Sequence, residues 1–362
     1  MKSNSLVRGM WRSIRRMLGM MKWGISAFPA LTGARHSATR RLLLIYDFAS
    51  QPFSVGDILI FQEASLVLRE MHGLGEIDFA AVYDPAKPVV ADPAFSQIDP
   101  DSFLFHLSSF LPAAQVNPHL GSLFLFDSHR RLESFIADNI SDYHVWPTLA
   151  QYASREYLFY YCFNELFYSY YQQHGVLPRL ASRPAAAAWA AQFVKHHVHP
   201  AIPVTVQLRR NSANPARDSN YDSWLAFFEH CEGRYPVKFV VVCAPSEVDA
   251  RLRGQPNVIV AKDHCTTVEQ DLALIEAAQI HMGATSGPGT IAQFSSKPYC
   301  MFNLRMDTDS VKGFVHEGNR NRFFFSSPVQ TWIVGEETPE LLVGEFERLW
   351  AALGPTAQHA GR

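Results

Sequence analysis

The chain has 362 residues, of which 48% are hydrophobic, 13% aromatic and 18% charged. This apolar content, with a charged fraction below the ~25% of an average globular protein, excludes an intrinsically disordered chain, a collagen-like fibre and a disulfide-stapled miniprotein. The five cysteines are scattered and form no C-x-x-C pair, which argues against a structural zinc site and favours a reducing compartment.

The first 41 residues form a basic arm with nine of the 32 lysines and arginines and none of the 34 acidic residues. Between residues 6 and 25, apolar side chains recur every three or four positions, opposite most of the arginines. This pattern predicts an amphipathic helix lying in an anionic membrane surface, which residues 1–25 would contact. A transit peptide has a similar composition and remains the alternative. No stretch reaches the ~20 consecutive apolar residues that span a bilayer.

From residue 42 the pattern alternates between strands and helices. Residues 42–48 are a continuous apolar run, typical of a strand in a parallel sheet that is buried on both faces. Ser54 and Asp57 then mark the start of a helix. The further predicted elements are a strand at 77–82, a helix at 102–111, a strand at 122–126 and a helix at 128–137. Repeated units of this kind imply right-handed crossovers and an open α/β sheet.

Residues 149–173 are rich in aromatic side chains at helical spacing, which we interpret as a buried helix; an aromatic platform for an acceptor is the alternative. A helix at 185–197 follows, and then a second series begins. Its strands are predicted at 204–208, 239–243, 258–260, 280–283 and 299–302, and its helices at 221–231, 246–251, 268–278, from about 290, and 340–353. Thr266 and Glu269 have the spacing of a capping box.

The predicted fold class is therefore α/β, with two Rossmann-like domains facing a cleft and a basic amphipathic helix before them. We place the arm at residues 1–41, an acceptor-side domain at 42–199 and a nucleotide-sugar-binding domain at 200–362.

The strongest local signal is a loop of small residues between a predicted strand and a predicted helix. It contains Thr285, Ser286, Gly287, Pro288, Gly289 and Thr290. Glycines allow a ligand to approach the backbone closely. The free N–H groups at the N-terminus of a helix beginning near Thr290 would form an anion-binding site. The spacing is neither a Walker P-loop nor GxGxxG. A glycine-rich turn that only packs tightly is the alternative.

The second signal follows the strand at 204–208, where Gln207, Arg209, Arg210 and Asn211 come at its carboxyl end. Open α/β sheets bind ligands at the carboxyl ends of their strands. An arginine there can hold a diphosphate through two parallel hydrogen bonds. A surface salt bridge is the alternative for either arginine. Together the two signals predict one diphosphate site.

The chain from about residue 200 to 305 resembles the C-terminal half of GT-B glycosyltransferases, most of all the bacterial fucosyltransferase-like and surface-polysaccharide enzymes. Their pattern is a strand ending in H-x-R-x-x-D, a later strand followed by G-x-x-S-G, and a K-P-x-x-x-x-N close. Gln207 occupies the position of the histidine and Arg209 that of the arginine, while Asp271, Ser286 and Gly287 match the later stretch. The resemblance implies that all these residues bind the donor.

The resemblance implies a hexosyl or fucosyl transfer from a nucleotide-diphosphate sugar to a glycan or lipid-linked acceptor, at the inner face of a bacterial membrane, in the cytoplasm. No metal and no cofactor is implied. A carboxylate or histidine at a strand end must deprotonate the acceptor. The candidates are Asp47, Asp57, Asp127 and His129, of which we select Asp57. A charge that only stabilises a helix N-terminus is the alternative for Asp57, and a simple helix cap is the alternative for Asp127.

Three other functional classes fit the sequence less well than a glycosyltransferase. A non-catalytic nucleotide-sugar-binding or scaffold protein is the alternative, because the histidine of the motif is replaced by Gln207. A dehydrogenase is disfavoured, since no GxGxxG follows an early strand. Nucleic acid is not an expected partner, because the chain after the arm is acidic and repels a phosphate backbone.

Overall fold

A computed structural model of the chain describes residues 40–51, 54–84, 107, 110–148, 162–210, 215–304 and 314–354. The predicted membrane-surface helix at residues 1–25, Asn211 and most of the helix predicted at 102–111 lie outside these ranges. Within the described residues, no helix combines the length and apolar character needed to cross a bilayer.

The chain divides into two compact units. The first contains a four-stranded parallel sheet of order β3-β2-β1-β4. Its strands are β1 (Arg41–Asp47), β2 (Ile77–Val82), β3 (Leu120–Phe126) and β4 (Tyr143–Trp146). Its helices are α1 (Val55–Met71), whose residues 54–63 group with the second unit, and α2 (His129–Asn139). The central strands β1 and β2 are almost fully buried, which is why most of their residues are apolar.

The second unit contains an eight-stranded sheet of order β10-β11-β12-β9-β8-β5-β6-β7. Its strands are β5 (Ile202–Gln207), β6 (Val237–Val242), β7 (Val258–Val260), β8 (Ile280–Ala284), β9 (Tyr299–Phe302), β10 (Phe314–Glu317), β11 (Arg320–Phe323) and β12 (Gln330–Ile333). Six neighbouring strands of this sheet pair in parallel: β12, β9, β8, β5, β6 and β7. The hairpin β10-β11 extends the sheet beyond β12 with antiparallel pairing.

The helices grouped with this second sheet are α4 (Pro184–Phe193), α5 (Tyr221–Cys231), α6 (Val268–Ala277), α7 (Thr290–Gln293) and α8 (Pro339–Ala352), and α3 (Cys162–His174) begins at the end of the first unit. Trp224, Phe227 and Phe228 of α5 pack with Phe239 and Phe346 in a core of the second unit. Aromatic residues at these helical spacings bury a broad apolar stripe against the sheet.

The two alternating α/β series predicted from the sequence are confirmed, and several local predictions are corrected. The helix predicted at 246–251 is instead two short 3₁₀ helices, Pro245–Glu247 and Ala250–Gly254. The short strand β4 and the hairpin β10-β11 were not predicted. The helix from Thr290 is a single turn ending at Gln293. The capping box at the start of α6 is formed by Thr267 and Gln270, one residue later than predicted, because Thr266 instead donates to Asp271.

The two compact units do not coincide with the two domains predicted at 42–199 and 200–362. The functional assignment of those two domains stays a prediction. In the structure, residues 168–199 group with the second unit. Arg183, just before α4, forms two hydrogen bonds with the carboxylate of Glu269 on α6, at 2.6 and 2.7 Å. Ser182 donates its backbone N–H to Glu276 at 2.8 Å. These contacts join the segment to the second sheet.

Candidate functional site

The candidate site lies where the strand order of the second sheet reverses. From β5 the chain moves outward through β6 to β7, and then returns to the other side of β5 to form β8 and β9. In such open sheets ligands bind outside the carboxyl ends of the strands at this point of reversal. The loops that leave β5 and β8 are those that contain Arg209 and the Thr285–Thr290 residues. The two sequence signals are therefore at neighbouring strand ends.

Gly283 allows these two strands to pair this closely. It lies opposite Gln207, and a Cβ built on it would be 2.3 Å from the Gln207 carbonyl oxygen. Its φ of +148° is also one that L side chains rarely adopt. Only glycine fits here, so the pairing of the two loops depends on this position.

Arg209 lies two residues after β5, with a side chain that is only 12% exposed. Its Nε is 3.7 Å from Oδ1 of Asp218. Burial lowers the pKa of the guanidinium, while Asp218 and Glu247 act in the opposite direction. Because the ordinary pKa of arginine exceeds ~12, the group remains a cation at neutral pH. A largely buried cation at a strand-order reversal is suited to an anionic ligand.

The loop that contains Arg209 is closed by backbone contacts. The Arg209 N–H donates to Ser219 Oγ at 3.1 Å, and the Ser219 N–H donates to the Arg209 carbonyl at 2.9 Å. Arg217, which the sequence analysis did not single out, donates from Nη2 to the carbonyl of Thr285. This contact joins the β5 loop directly to the β8 loop. No local feature of the sequence distinguishes Arg217 from other basic residues, since its partner follows a different strand.

Gln207 and Arg210, which were also predicted to bind the donor, differ in how far their polar groups are already engaged within the protein. Gln207 is buried; its Nε2 donates to the Leu208 carbonyl at 2.9 Å, and its Oε1 has no hydrogen-bond partner among the described residues. The Arg210 guanidinium lies 4.2 Å over the ring of Tyr221 and 3.4 Å from Asp249. Arg210 is therefore held against the surface of its own unit, and its predicted role in donor binding stays a prediction.

The β8 loop does not present the helix N-terminus that the sequence predicted. The N–H groups of Thr290 and Ile291 donate to the carbonyls of Gly287 and Pro288, at 3.1 and 3.3 Å. Those amides are thus used within the turn, and α7 is too short to supply a helix dipole. Thr285 is also engaged, since its Oγ1 donates to Phe302 at 2.5 Å. The Oγ of Ser286 is buried and has no hydrogen-bond partner among the described residues.

Tight packing explains both glycines of this loop. A Cβ built on Gly287 would lie 2.7 Å from the backbone nitrogen of Gly56. A Cβ on Gly289 would lie 3.0 Å from the methyl group of Met301 and 3.3 Å from Nε2 of His281. The alternative that the sequence left open, a glycine turn that permits close packing, is what the structure shows at these two positions.

The contact between Gly287 and Gly56 brings the first turn of α1 against the β8 loop, within the second unit. Asp57 is the next residue, and it is buried in that first turn. A helix N-terminus stabilises a negatively charged carboxylate. The predicted base is therefore next to the predicted donor loop.

Asp271 has a different environment from the one the resemblance implied. Its Oδ2 pairs with Lys262 Nζ at 2.5 Å, and its Oδ1 accepts from Thr266 Oγ1 at 2.6 Å. Burial raises the pKa of this carboxyl, and Lys262 and Thr266 act against that rise. The residue fixes the turn between β7 and α6. Its donor-binding role stays a prediction, one that would act through this turn.

His281 lies beneath the β8 loop and was not singled out in the sequence. It is fully buried, with Nδ1 3.0 Å from Thr205 Oγ1. Burial, and to a smaller extent Lys297, lowers the pKa of His281 to about 3. The imidazole is therefore neutral at physiological pH. A neutral ring under Gly289 supports the loop without adding a charge.

In the first unit, His129 forms a buried cluster with two carboxylates. Its Nε2 lies 2.7 Å from Asp47 Oδ2, and its Nδ1 lies 2.8 Å from Asp84 Oδ2. Each ring nitrogen thus has a carboxylate oxygen within hydrogen-bond distance, and the two contacts fix the orientation of the imidazole. Two of the four candidate bases, Asp47 and His129, are thus in contact with each other. Asp127 is exposed and pairs with Arg131 at 3.1 Å.

Comparison with solved structures identifies the fold. The glycosyl transferase family 9 protein of Veillonella parvula has 13% sequence identity and a TM-score of 0.52, covering 88% of this chain and 100% of its own. The ADP-heptose LPS heptosyltransferase II of E. coli has 13% identity and a TM-score of 0.54, covering 87% of this chain and 99% of its own. No protein-family model and no curated protein matches the chain.

These similarities confirm the predicted fold class. The chain is an α/β protein with two parallel-sheet units and a GT-B-like fold. At this level of identity the likeness concerns the fold, and the activity has to be argued from the site.

Proposed function

We propose that this protein is a glycosyltransferase that moves a sugar from a nucleotide-diphosphate sugar to a glycan or lipid-linked acceptor without a metal ion. One observation supports this most directly: the pairing of Gln207 with Gly283 puts the β5 and β8 loops side by side at the reversal of strand order. A hexosyl or fucosyl donor, implied by the resemblance, is part of the proposal.

The donor diphosphate would be held by Arg209 and by the β8 loop. Arg209 supplies a desolvated cation, and Ser286 Oγ supplies a buried hydroxyl with no partner among the described residues. In the transfer, the bond between the anomeric carbon and the β-phosphate oxygen breaks, and the leaving diphosphate takes the electron pair. A positive group fixed at that oxygen lowers the barrier by about 3 kcal/mol or more.

The acceptor hydroxyl would attack the anomeric carbon and give its proton to the carboxylate of Asp57. This role is supported by the contact of Gly56 with Gly287, which puts the first turn of α1 at the donor loop. A positioned base contributes roughly 10²–10⁴-fold to such a step. The proton, the sugar and the leaving group are thus all accounted for.

Two variants test this proposal. Isothermal titration with GDP, UDP, ADP and CMP identifies the nucleotide, and Arg209→Met is expected to weaken the best one at least about tenfold. Arg234→Met, in the turn between α5 and β6, is the matched control. Asp57→Asn is expected to keep nucleotide affinity and lose transfer by about a hundredfold or more.

The outcomes separate the proposal from its alternatives. No binding of any of the four nucleotides, or equal affinity in Arg209→Met, would overturn the donor site. Nucleotide-sugar binding without turnover of any donor, by wild type as well as Asp57→Asn, would instead favour a scaffold protein. Full transfer activity of Asp57→Asn would remove only the assignment of the base.

We also propose that residues 1–25 hold the protein peripherally on an anionic membrane, on the cytoplasmic side. The support is the charge and apolar periodicity of the arm. A catalyst held at the surface would meet a lipid-linked acceptor there.

A further inference from the structure

The second unit contains a cavity at the opposite ends of its strands from the candidate donor site. It has a volume of about 180 Å³. Its lining comes from residues 176–179, from 293–296 and from the 325–330 segment. The last two segments lead into the amino ends of β9 and β12, whereas the donor loops leave the carboxyl ends of β5 and β8. The cavity therefore belongs to a different part of the fold.

One side of the cavity is lined by aromatic rings. Phe294 and Phe325 stack with centroids 5.6 Å apart and an angle of 15° between their planes. Next to the cavity, Phe324 meets Phe325 edge-on, and its ring lies 5.2 Å from Tyr168 and 5.4 Å from Tyr171. Tyr168 is 49% exposed. Aromatic faces of this kind pack against the C–H groups of a ligand ring.

The cavity is also lined by polar side chains. Gln293 is only 6% exposed and carries a side-chain amide. The Oγ of Ser327 is buried and has no hydrogen-bond partner within the described part of the chain. A buried polar group without a partner costs roughly 1–3 kcal/mol. A ligand with hydroxyl groups would remove that cost, since an amide both donates and accepts.

The charge of the lining indicates the class of ligand. Arg179 is exposed at the rim, and its Nη1 donates to Ser296 Oγ at 3.2 Å, which orients the guanidinium. No described carboxylate lies within ion-pair distance of Arg179, and the residues that line the cavity include no acid. An oriented arginine without a carboxylate partner matches a carboxylate on the ligand, which it can bind through two parallel hydrogen bonds.

We propose that this cavity binds a monosaccharide unit that carries a carboxylate, that is, a hexuronate. The rings of Phe294 and Phe325 would contact the C–H side of the pyranose ring, Gln293 and Ser327 its hydroxyls, and Arg179 its carboxylate. The volume of 180 Å³ corresponds to about six waters at ~30 Å³ each, enough for one sugar ring. The site goes beyond the proposed transferase activity, because it holds an acidic glycan away from the donor loops.

The experiment titrates the full-length protein with methyl glucuronide and methyl glucoside, by isothermal titration and by NMR of the Ser296 and Ser327 amides. The glucuronide is expected to bind about tenfold more tightly than the glucoside. Arg179→Gln is expected to abolish that difference, because it removes only the cation. Gln293→Leu, which keeps the side-chain volume, is expected to weaken both glycosides. The control is Arg183→Gln, which should bind as wild type does; Arg183 lies four positions after Arg179 and is paired with Glu269.

Three results would overturn the proposal. These are no binding of the glucuronide by wild type, equal affinity for the two glycosides, or an Arg179→Gln variant that still prefers the glucuronide. Nucleotide titration of the same preparations keeps this test separate from that of the donor site, since Arg179 and Gln293 do not belong to the donor loops. Loss of nucleotide binding in Arg209→Met, with unchanged glucuronide binding, would show two independent sites.

Discussion

Gly56 and Gly287 meet backbone to backbone. A Cβ on Gly56 would lie 3.1 Å from the Cα of Gly287, and a Cβ on Gly287 would lie 2.7 Å from the nitrogen of Gly56. Two segments that are more than two hundred residues apart in the chain are thus in direct contact. One contains Asp57, the proposed base, and the other is the β8 loop, which is proposed to bind the diphosphate.

The first prediction follows from this contact. Gly287→Ala is expected to destabilise the protein by about 1–3 kcal/mol, because the new methyl group displaces the backbone of α1. The same displacement would move Asp57 and lower transfer activity while leaving nucleotide affinity closer to wild type. Urea unfolding and a transfer assay measure the two effects.

Its control is Gly344→Ala, in the interior of α8, where a Cβ would meet nothing within 4 Å. Since alanine is the better helix former, this change is expected to stabilise the protein by about 0.5–1 kcal/mol. Equal effects of the two substitutions would contradict the importance of the Gly56–Gly287 contact.

The second prediction concerns the His129 cluster of the first unit. His129→Leu is expected to destabilise the protein by about 1–3 kcal/mol, because it removes the hydrogen-bond partner that the buried Asp47 and the partly buried Asp84 carboxylates share. Arg131→Leu is the matched control on the same helix. It removes the exposed pair with Asp127, which is worth no more than about 1 kcal/mol. Similar urea midpoints for the two variants would show that the cluster is unimportant for stability.

The third prediction is a pH dependence due to His281. The pKa of this buried imidazole is about 3 in the folded protein, against an ordinary 6.5. Below pH 6.5 the unfolded chain therefore binds a proton that the folded chain does not, and stability falls as the pH falls. By pH ~5 the loss from this residue is about 2 kcal/mol.

His281→Gln removes this titration, so the difference in stability between wild type and the variant is expected to shrink between pH ~7 and pH ~5. Unfolding by urea at several pH values measures it. A difference that stays constant over this range would contradict a neutral, buried His281.

The fourth prediction tests the basic arm in the full-length chain. Replacing Arg12, Arg15 and Arg16 by glutamine removes three cations from the predicted helix. At about 1 kcal/mol for each cation near an anionic surface, binding to phosphatidylserine vesicles should weaken roughly a hundredfold. Hydrolysis of a soluble donor should not change. Vesicle binding equal to that of wild type would contradict the membrane proposal.

The sequence predicted most of the second unit because its elements have strong local signals. The helix at 221–231 and the strands at 258–260 and 299–302 were predicted with the bounds that the structure has. Strand β4 was not predicted, since four residues carry too little periodicity. The helix from Thr290 was predicted too long, because nothing in the local sequence shows that the turn closes on Gly287 and Pro288.

For the candidate site, local pattern was sufficient to locate Arg209 and the glycine loop, because strand ends and glycines are visible in the sequence. It misassigned the reason for the glycines. Gly287 is required by the approach of Gly56, a contact between distant segments that no local pattern contains. Arg217 was missed for the same reason, since its partner Thr285 is on another strand end.

The sequence by itself determined the α/β class, the two series of strands and the residues at their carboxyl ends, because burial and periodicity are local properties of the chain. Only the tertiary structure decided that β5 lies next to β8, that α1 begins against the β8 loop, and that Arg179 and Gln293 line one cavity. Those relationships depend on contacts between segments that are far apart in the sequence, and no local pattern of residues records such contacts.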